Sequence, residues 1–239
     1  MSEIRNYDDV NEVAEAAAEN AVEILSLAIE ASGSAIWVMA GGSSPMLAYK
    51  KLAKDYADLI DWSLVTVVMG DERLVPLDHK DSNWGAIMRV FDENPYLSKV
   101  ARVVPDVTGT VEEVAYEYDR LVRQLAVTRR FDLVWLGVGE DGHTLSLFPG
   151  NAAFVDPTED WVIPVRNSPK PPSERFTLSL RALEYVTELV IFAVGASKRE
   201  ALREARLKGR LPIAVAANIA ETYGGEVRWL YDDAGWGEK

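Results

Sequence analysis

The chain has 239 residues, 48% of them hydrophobic, and carries 38 acidic against 25 basic side chains for a formal net charge of −13. That length supports one sizeable core, and the acidic balance repels nucleic-acid phosphates and anionic membranes over most of the surface. The absence of cysteine excludes disulfides and thiolate chemistry, and the two histidines, His79 and His143, are too few for a histidine-rich transition-metal site.

The first thirty residues lack a basic start followed by an apolar run. No later stretch approaches the roughly 18 apolar residues that a membrane span requires. The expectation is a soluble, cytoplasmic protein with no membrane or nucleic-acid partner. From Val10 to Ile29 apolar residues recur with the helical period, with Glu12, Glu15, Glu19 and Glu23 between them, so an amphipathic helix opens the chain. The apolar run Ala35 to Ala40 predicts a strand, Gly41-Gly42-Ser43-Ser44-Pro45 a turn, and MLAYKKLAKDY a helix. The same order returns with a strand at Leu64 to Met69, the polar loop GDERLVPLDHKDSN and the helical segment WGAIMRVFDE.

Thr110 with Glu113 three residues on forms a capping box for a helix reaching roughly Ala126, and Phe131 to Leu136 reads as a buried strand leaving through GVGEDGH. Asp156 to Ser173, with four of the eleven prolines after Pro157, reads as an irregular excursion. Strands follow at ERFTLSL and ELVIFAVG, then a helix from Ser197 to Arg206, another with Pro212 in its first turn, and a last strand at EVRWLYD. Strands that are apolar throughout and alternate with helices predict an α/β fold, a mostly parallel, Rossmann-like sheet with helices on both faces, as one domain over residues 1–239. Ligands in such sheets bind beyond the carboxyl ends of the strands, where the glycine-rich and charged loops should meet.

Each loop admits two readings. Gly41, Gly42, Ser43 and Ser44 suit a phosphate cradle at a helix amino end, or equally a glycine turn capped by Ser44 with Pro45 in the first turn. Arg73, in Asp71-Glu72-Arg73, has a fork of donors for a phosphate or carbonyl oxygen, though charged loops are commonly just solvated and Ser82 or Asn83 suffices to cap the next helix. The segment GVGEDGHTLSLFPG is more pointed. Its four glycines allow tight turns and close ligand approach, and a free imidazole titrates near neutrality, so His143 is a candidate general base. Its place on a glycine loop at a strand end weakens the usual alternative of a buried structural histidine. His79, between Asp78 and Lys80, reads as exposed and passive. Arg175 and Lys198 are available to complete an anion pocket, or to serve as ordinary structural and surface residues.

GGSSP, DERLVP with DSN, GVGEDGHTLSLFPG, SPKPPSERFTLSL, GASK and VRWLYDDA together, in this order, resemble the 6-phosphogluconolactonase family over nearly the whole chain. The resemblance implies cofactor-free, metal-free hydrolysis of 6-phospho-D-glucono-1,5-lactone in the oxidative pentose phosphate pathway. It further implies His143 as base, with Asp71 and Arg73 as catalytic partners. Gly41, Gly42, Ser43, Ser44, Arg73, Arg175 and Lys198 then hold substrate and phosphate, and the Gly139, Asp141 and Gly142 loop faces the oxyanion. The expected partner is the small sugar-phosphate lactone, the protein being a monomer or weak homo-oligomer. Glucosamine-6-phosphate deaminases share a DGH segment but typically continue with Asn-Glu-Pro, where SLFPG stands here, and carry tyrosine at the place of Arg73. A sugar-phosphate-sensing regulator domain is the other alternative, disfavoured by the acidic balance and the absence of a basic patch.

Overall fold

The structure is a computed structural model and describes residues 2–126 and 129–237. Strand β1 (Glu3–Tyr7) and helix α1 (Val10–Ser32) lead into β2 (Ala35–Met39), α2 (Ser43–Lys51), β3 (Val65–Met69) and, one residue later, β4 (Asp71–Arg73). Next come α3 (Asn83–Asp92), β5 (Ala101–Arg102), α4 (Val111–Ala126), β6 (Phe131–Gly137) and α5 (Ala152–Val155). The chain ends through β7 (Val162–Val165), β8 (Arg175–Leu178), β9 (Val186–Ala193), α6 (Arg199–Lys208), α7 (Pro212–Thr222), β10 (Glu226–Asp232) and α8 (Asp233–Trp236).

The apolar runs behave as their composition requires. All five residues of β2 are buried, and β2, β3, β6, β9 and β10 pair in parallel with β1 and β5 at the edges, in the order β1-β10-β9-β6-β2-β3-β5. The chain builds outward from β2 toward β5, then returns to lay β6 on the other side of β2 and continues toward β1. The border between β2 and β6 is therefore the topological switch point, where loops leaving adjacent carboxyl ends diverge and open a crevice. Beneath it, Trp37 of β2 meets Trp135 of β6 edge-on at 4.8 Å and Tyr49 of α2 stacks on Trp135 at 4.9 Å, contacts each worth about 0.5–1.5 kcal/mol beyond area burial. The Tyr49 hydroxyl accepts from the Ala40 amide at 3.0 Å and donates to its carbonyl at 3.1 Å, pinning the end of β2 directly before the glycine turn.

Four features differ from what the sequence predicts. ERFTLSL does form a strand, but in a separate three-stranded antiparallel sheet ordered β4-β8-β7, in which Arg73 pairs with Arg175 and Asp71 with Thr177. The stretch expected to be irregular contributes β7, including Pro164. As an edge strand, β7 tolerates a residue without an amide donor. Strand β1 was not foreseen, because EIRNY is almost wholly exposed and carries no apolar run. The first helix runs three residues past Ile29 to Ser32 and stops at Gly33, whose left-handed φ of 80° terminates it.

Candidate active site

The turn after β2 is shaped by what cannot fit there. A Cβ on Gly41 would lie 2.1 Å from Asn83 Oδ1, so only glycine lets the Asn83 side chain cross the turn and donate to the Asp71 carbonyl at 3.1 Å. Gly42 has φ of 104°, a conformation that side chains disfavour. Helix α2 begins at Ser43 with no side chain capping it. The capped-turn reading thus fails, and Ser43 and Ser44 line the crevice at the amino end of α2, where the helix dipole favours an anion.

After β6, Gly139 donates to the His143 carbonyl at 2.8 Å and Gly142, with φ of 76°, donates to the Gly139 carbonyl at 2.9 Å, folding the loop back on itself. The His143 ring lies so close to the Gly139 backbone that a Cβ there would be 1.9 Å from Nδ1. His143 Nδ1 meets Asp141 Oδ1 at 2.5 Å, and the ring packs on Phe148 with centroids 4.4 Å apart. With Nδ1–H donating to Asp141, the lone pair resides on Nε2. Burial pushes the His143 imidazole below its ordinary value, an effect that the Asp141 hydrogen bond and charge partly offset and the Lys170 charge reinforces. Burial alone would raise the Asp141 carboxyl, but the bond and charge of His143, with Lys170 Nζ 3.9 Å away, hold it below the usual carboxylate range.

The small sheet supplies the facing wall. Asp71, buried at the start of β4, accepts from the buried Ser146 hydroxyl at 2.6 Å. Glu72 turns the other way and is fully buried, accepting from the amides of Trp84, Asn83 and Arg73 and from the Ser82 hydroxyl at 2.6–2.9 Å. Desolvation raises its carboxyl despite those donors. Arg73 donates from Nη1 to the Asp81 carbonyl at 2.7 Å, while its buried Nε has no partner among the described residues. Arg175 spends its donors on the chain beside it, giving Nε to the Pro172 carbonyl at 3.0 Å and Nη2 to the Lys170 and Pro171 carbonyls at 2.9 and 3.3 Å. Lys198 follows Gly195, which has φ of 98°, and its Nζ stands 4.0 Å from Glu140.

These segments enclose a cavity of about 310 Å³. Gly41, Gly42, Ser43 and Ser44 line it from one side, His143 and Gly139 from another, and Asp71, Arg73, Arg175 and Lys198 from the rest. Asp141 and Gly142 stand behind this surface, the first holding the imidazole and the second packed so that a Cβ would strike Leu211 at 2.6 Å. His79 remains outside, its side chain 41% exposed. Two polar lining side chains are absent from the expected site, Asn83, read only as a helix cap, and Lys170, although both lie within quoted segments, DSN and SPKPPSERFTLSL. Among the described residues no three His, Cys, Asp or Glu side chains group as a metal would need, and no helix is long and apolar enough to cross a membrane.

Residues 8–229 match the family described as glucosamine-6-phosphate isomerases/6-phosphogluconolactonase. The chain is 32% identical to a probable 6-phosphogluconolactonase 1 of Arabidopsis thaliana, over 96% of this chain and 91% of that one. It is 35% identical to 6-phosphogluconolactonase 3 of Saccharomyces cerevisiae (strain YJM789), over 84% and 82% of the two chains. The crystal structure of a 6-phosphogluconolactonase from Shewanella baltica superposes with a TM-score of 0.83 at 25% identity, covering 97% and 98%.

Proposed function

The chain belongs to the glucosamine-6-phosphate isomerase/6-phosphogluconolactonase family, and from that premise we propose that it hydrolyses 6-phospho-D-glucono-1,5-lactone to 6-phosphogluconate, the lactone step of the oxidative pentose phosphate pathway. The observation that carries this reading is the His143–Asp141 couple beside a cavity that Arg73, Lys170, Arg175 and Lys198 also line with the amino end of α2, at the switch point of the sheet. In the proposed reaction His143 Nε2 takes a proton from water as its oxygen attacks the lactone carbonyl. The tetrahedral intermediate then collapses with cleavage of the bond to the ring oxygen, which receives the same proton from the imidazolium. The acid so formed ionises to the product carboxylate.

The remaining side chains divide by what they have left to give. The amides and hydroxyls of Ser43 and Ser44, with Lys198, hold the phosphate dianion. Arg73, which lines the cavity, stabilises the oxyanion, and Asp71 orients water or a sugar hydroxyl, whereas the Gly139 and Gly142 amides are engaged within their own loop. Arg175, whose donors are largely engaged by carbonyls, shapes the wall more than it contacts the phosphate. The same reading has the protein acting on its small lactone as a cytoplasmic monomer or weak homo-oligomer.

The test uses freshly generated lactone, with product formation coupled to 6-phosphogluconate dehydrogenase, in the presence and absence of EDTA. Turnover well above the spontaneous rate and unaffected by the chelator is expected. A rate no faster than spontaneous hydrolysis would sink the assignment. His143→Ala should lower kcat by roughly a hundredfold or more, and near-wild-type turnover in that variant would remove His143 from the base role.

A further inference from the structure

Residues 168–172 form a strap over the His143 loop. The Ser168 amide donates to the Ser173 carbonyl at 2.9 Å, the Ser168 hydroxyl to the Lys170 carbonyl at 2.9 Å, and the buried Arg175 guanidinium grips the carbonyls of Lys170, Pro171 and Pro172. Arg175 is itself seated over the Phe148 ring, 5.5 Å from its centroid, and Phe148 is the ring on which His143 packs. One guanidinium thereby fixes the strap relative to the base. The side chain that the strap delivers is Lys170, whose Nζ lies 3.9 Å from Asp141 Oδ1, the same oxygen that His143 Nδ1 contacts.

We propose that Lys170 is a positioning residue for the His143–Asp141 couple, its ammonium standing beside the Asp141 oxygen that also meets the imidazole and opposing the build-up of positive charge on the ring. This role rests on the reading of His143 as the base. A base must be neutral in the resting enzyme, and Asp141, with Asp71, stabilises the imidazolium. A cation beside the shared carboxylate counters that tendency without removing the bond that selects the Nε2 lone pair. The charged groups facing His143 are Asp141 and Asp71, which favour its protonation, and Lys170, which opposes it. Arg73, Arg175, Lys198 and Glu140 stand around the same cavity mouth.

The chain has only two histidines, so the titration of His143 is directly readable by proton NMR, with His79→Gln identifying the other resonance. In the free enzyme Lys170→Met should raise the midpoint of His143 by about half a pH unit, whereas Lys170→Arg, which keeps the charge, should restore it. The acid limb of kcat/KM should move upward with it. An unchanged or lowered midpoint in Lys170→Met, or an equal shift in Lys170→Arg, would overturn the role. Because the NMR titration needs no turnover, it is decided separately from the reaction, which the His143→Ala variant tests.

Discussion

At the scale of single residues the site depends on a missing Cβ as much as on the groups that react. Gly139 has no left-handed φ, so its backbone tolerates alanine, but the new methyl would occupy the space of the His143 ring at 1.9 Å and of Asp141 Oδ1 at 2.6 Å. Both obstacles are the far ends of side chains, which can shift by a small displacement. Gly139→Ala is therefore expected to fold with nearly unchanged thermal stability while kcat falls by roughly ten- to a hundredfold, since a base displaced by about 1 Å loses its alignment with water. Circular-dichroism melting and the coupled assay separate the two effects. A variant as active as the wild type would mean that the imidazole does not work from the place it occupies here.

At the scale of elements, α3 is held by a carboxylate from outside the helix. Glu72 projects from β4 into the amino end of α3, where two of its four donors are the Asn83 and Trp84 amides, while Ser82 caps Gly85 at 2.9 Å. Glu72→Gln keeps the shape but turns an NH2 toward groups that also donate, so it should cost about 2–3 kcal/mol in urea unfolding and weaken the pocket walls that Asn83 and Arg73 form. A midpoint unchanged from wild type would show that water replaces the lost acceptor.

Glu72 also marks where the sequence was legible and where it was not. Long periodic or wholly apolar segments gave α1, β2, β6 and β9 correctly, and the Thr110–Glu113 capping box forms as expected, with Thr110 N donating to Glu113 at 2.9 Å. Strands β4 and β7 were hidden because three charged residues and a proline-bearing run have no strand signature until β8 pairs with both. The expected site residues line or back one cavity because the glycine-rich loops leave adjacent strand ends and the small sheet brings Asp71, Arg73 and Arg175 against them. Lys170 and Asn83 were missed because what distinguishes them, the carboxylate beside one and the glycine beneath the other, comes from segments distant in sequence.

At the scale of the whole molecule the two ends of the sheet carry opposite chemistry. The carboxyl ends gather cations and the titrating base, while near the amino end of β9 the half-buried Glu188 sits opposite Glu226 of β10 and 3.5 Å from Arg228. Desolvation, partly offset by Arg228 and reinforced by Glu226 and Glu23, pushes Glu188 up to about 7. A carboxyl raised in the folded state favours folding when protonated, so that contribution is complete below about pH 4.5 and is lost as pH rises through about 7. His143, lowered by burial, acts in the opposite sense over the acid part of this range. Comparing wild type with Glu188→Gln isolates the carboxyl. The two should melt together at pH 5, and the variant should be more stable at pH 8 by about 1 kcal/mol after allowance for solvent screening, or roughly 2–4 °C for a chain of this size. Because Glu188 and the cavity lie at opposite ends of the same strands, kcat should not change with the substitution. A wild type that melts no lower than the variant at pH 8 would mean that Arg228 already neutralises the ionised carboxylate.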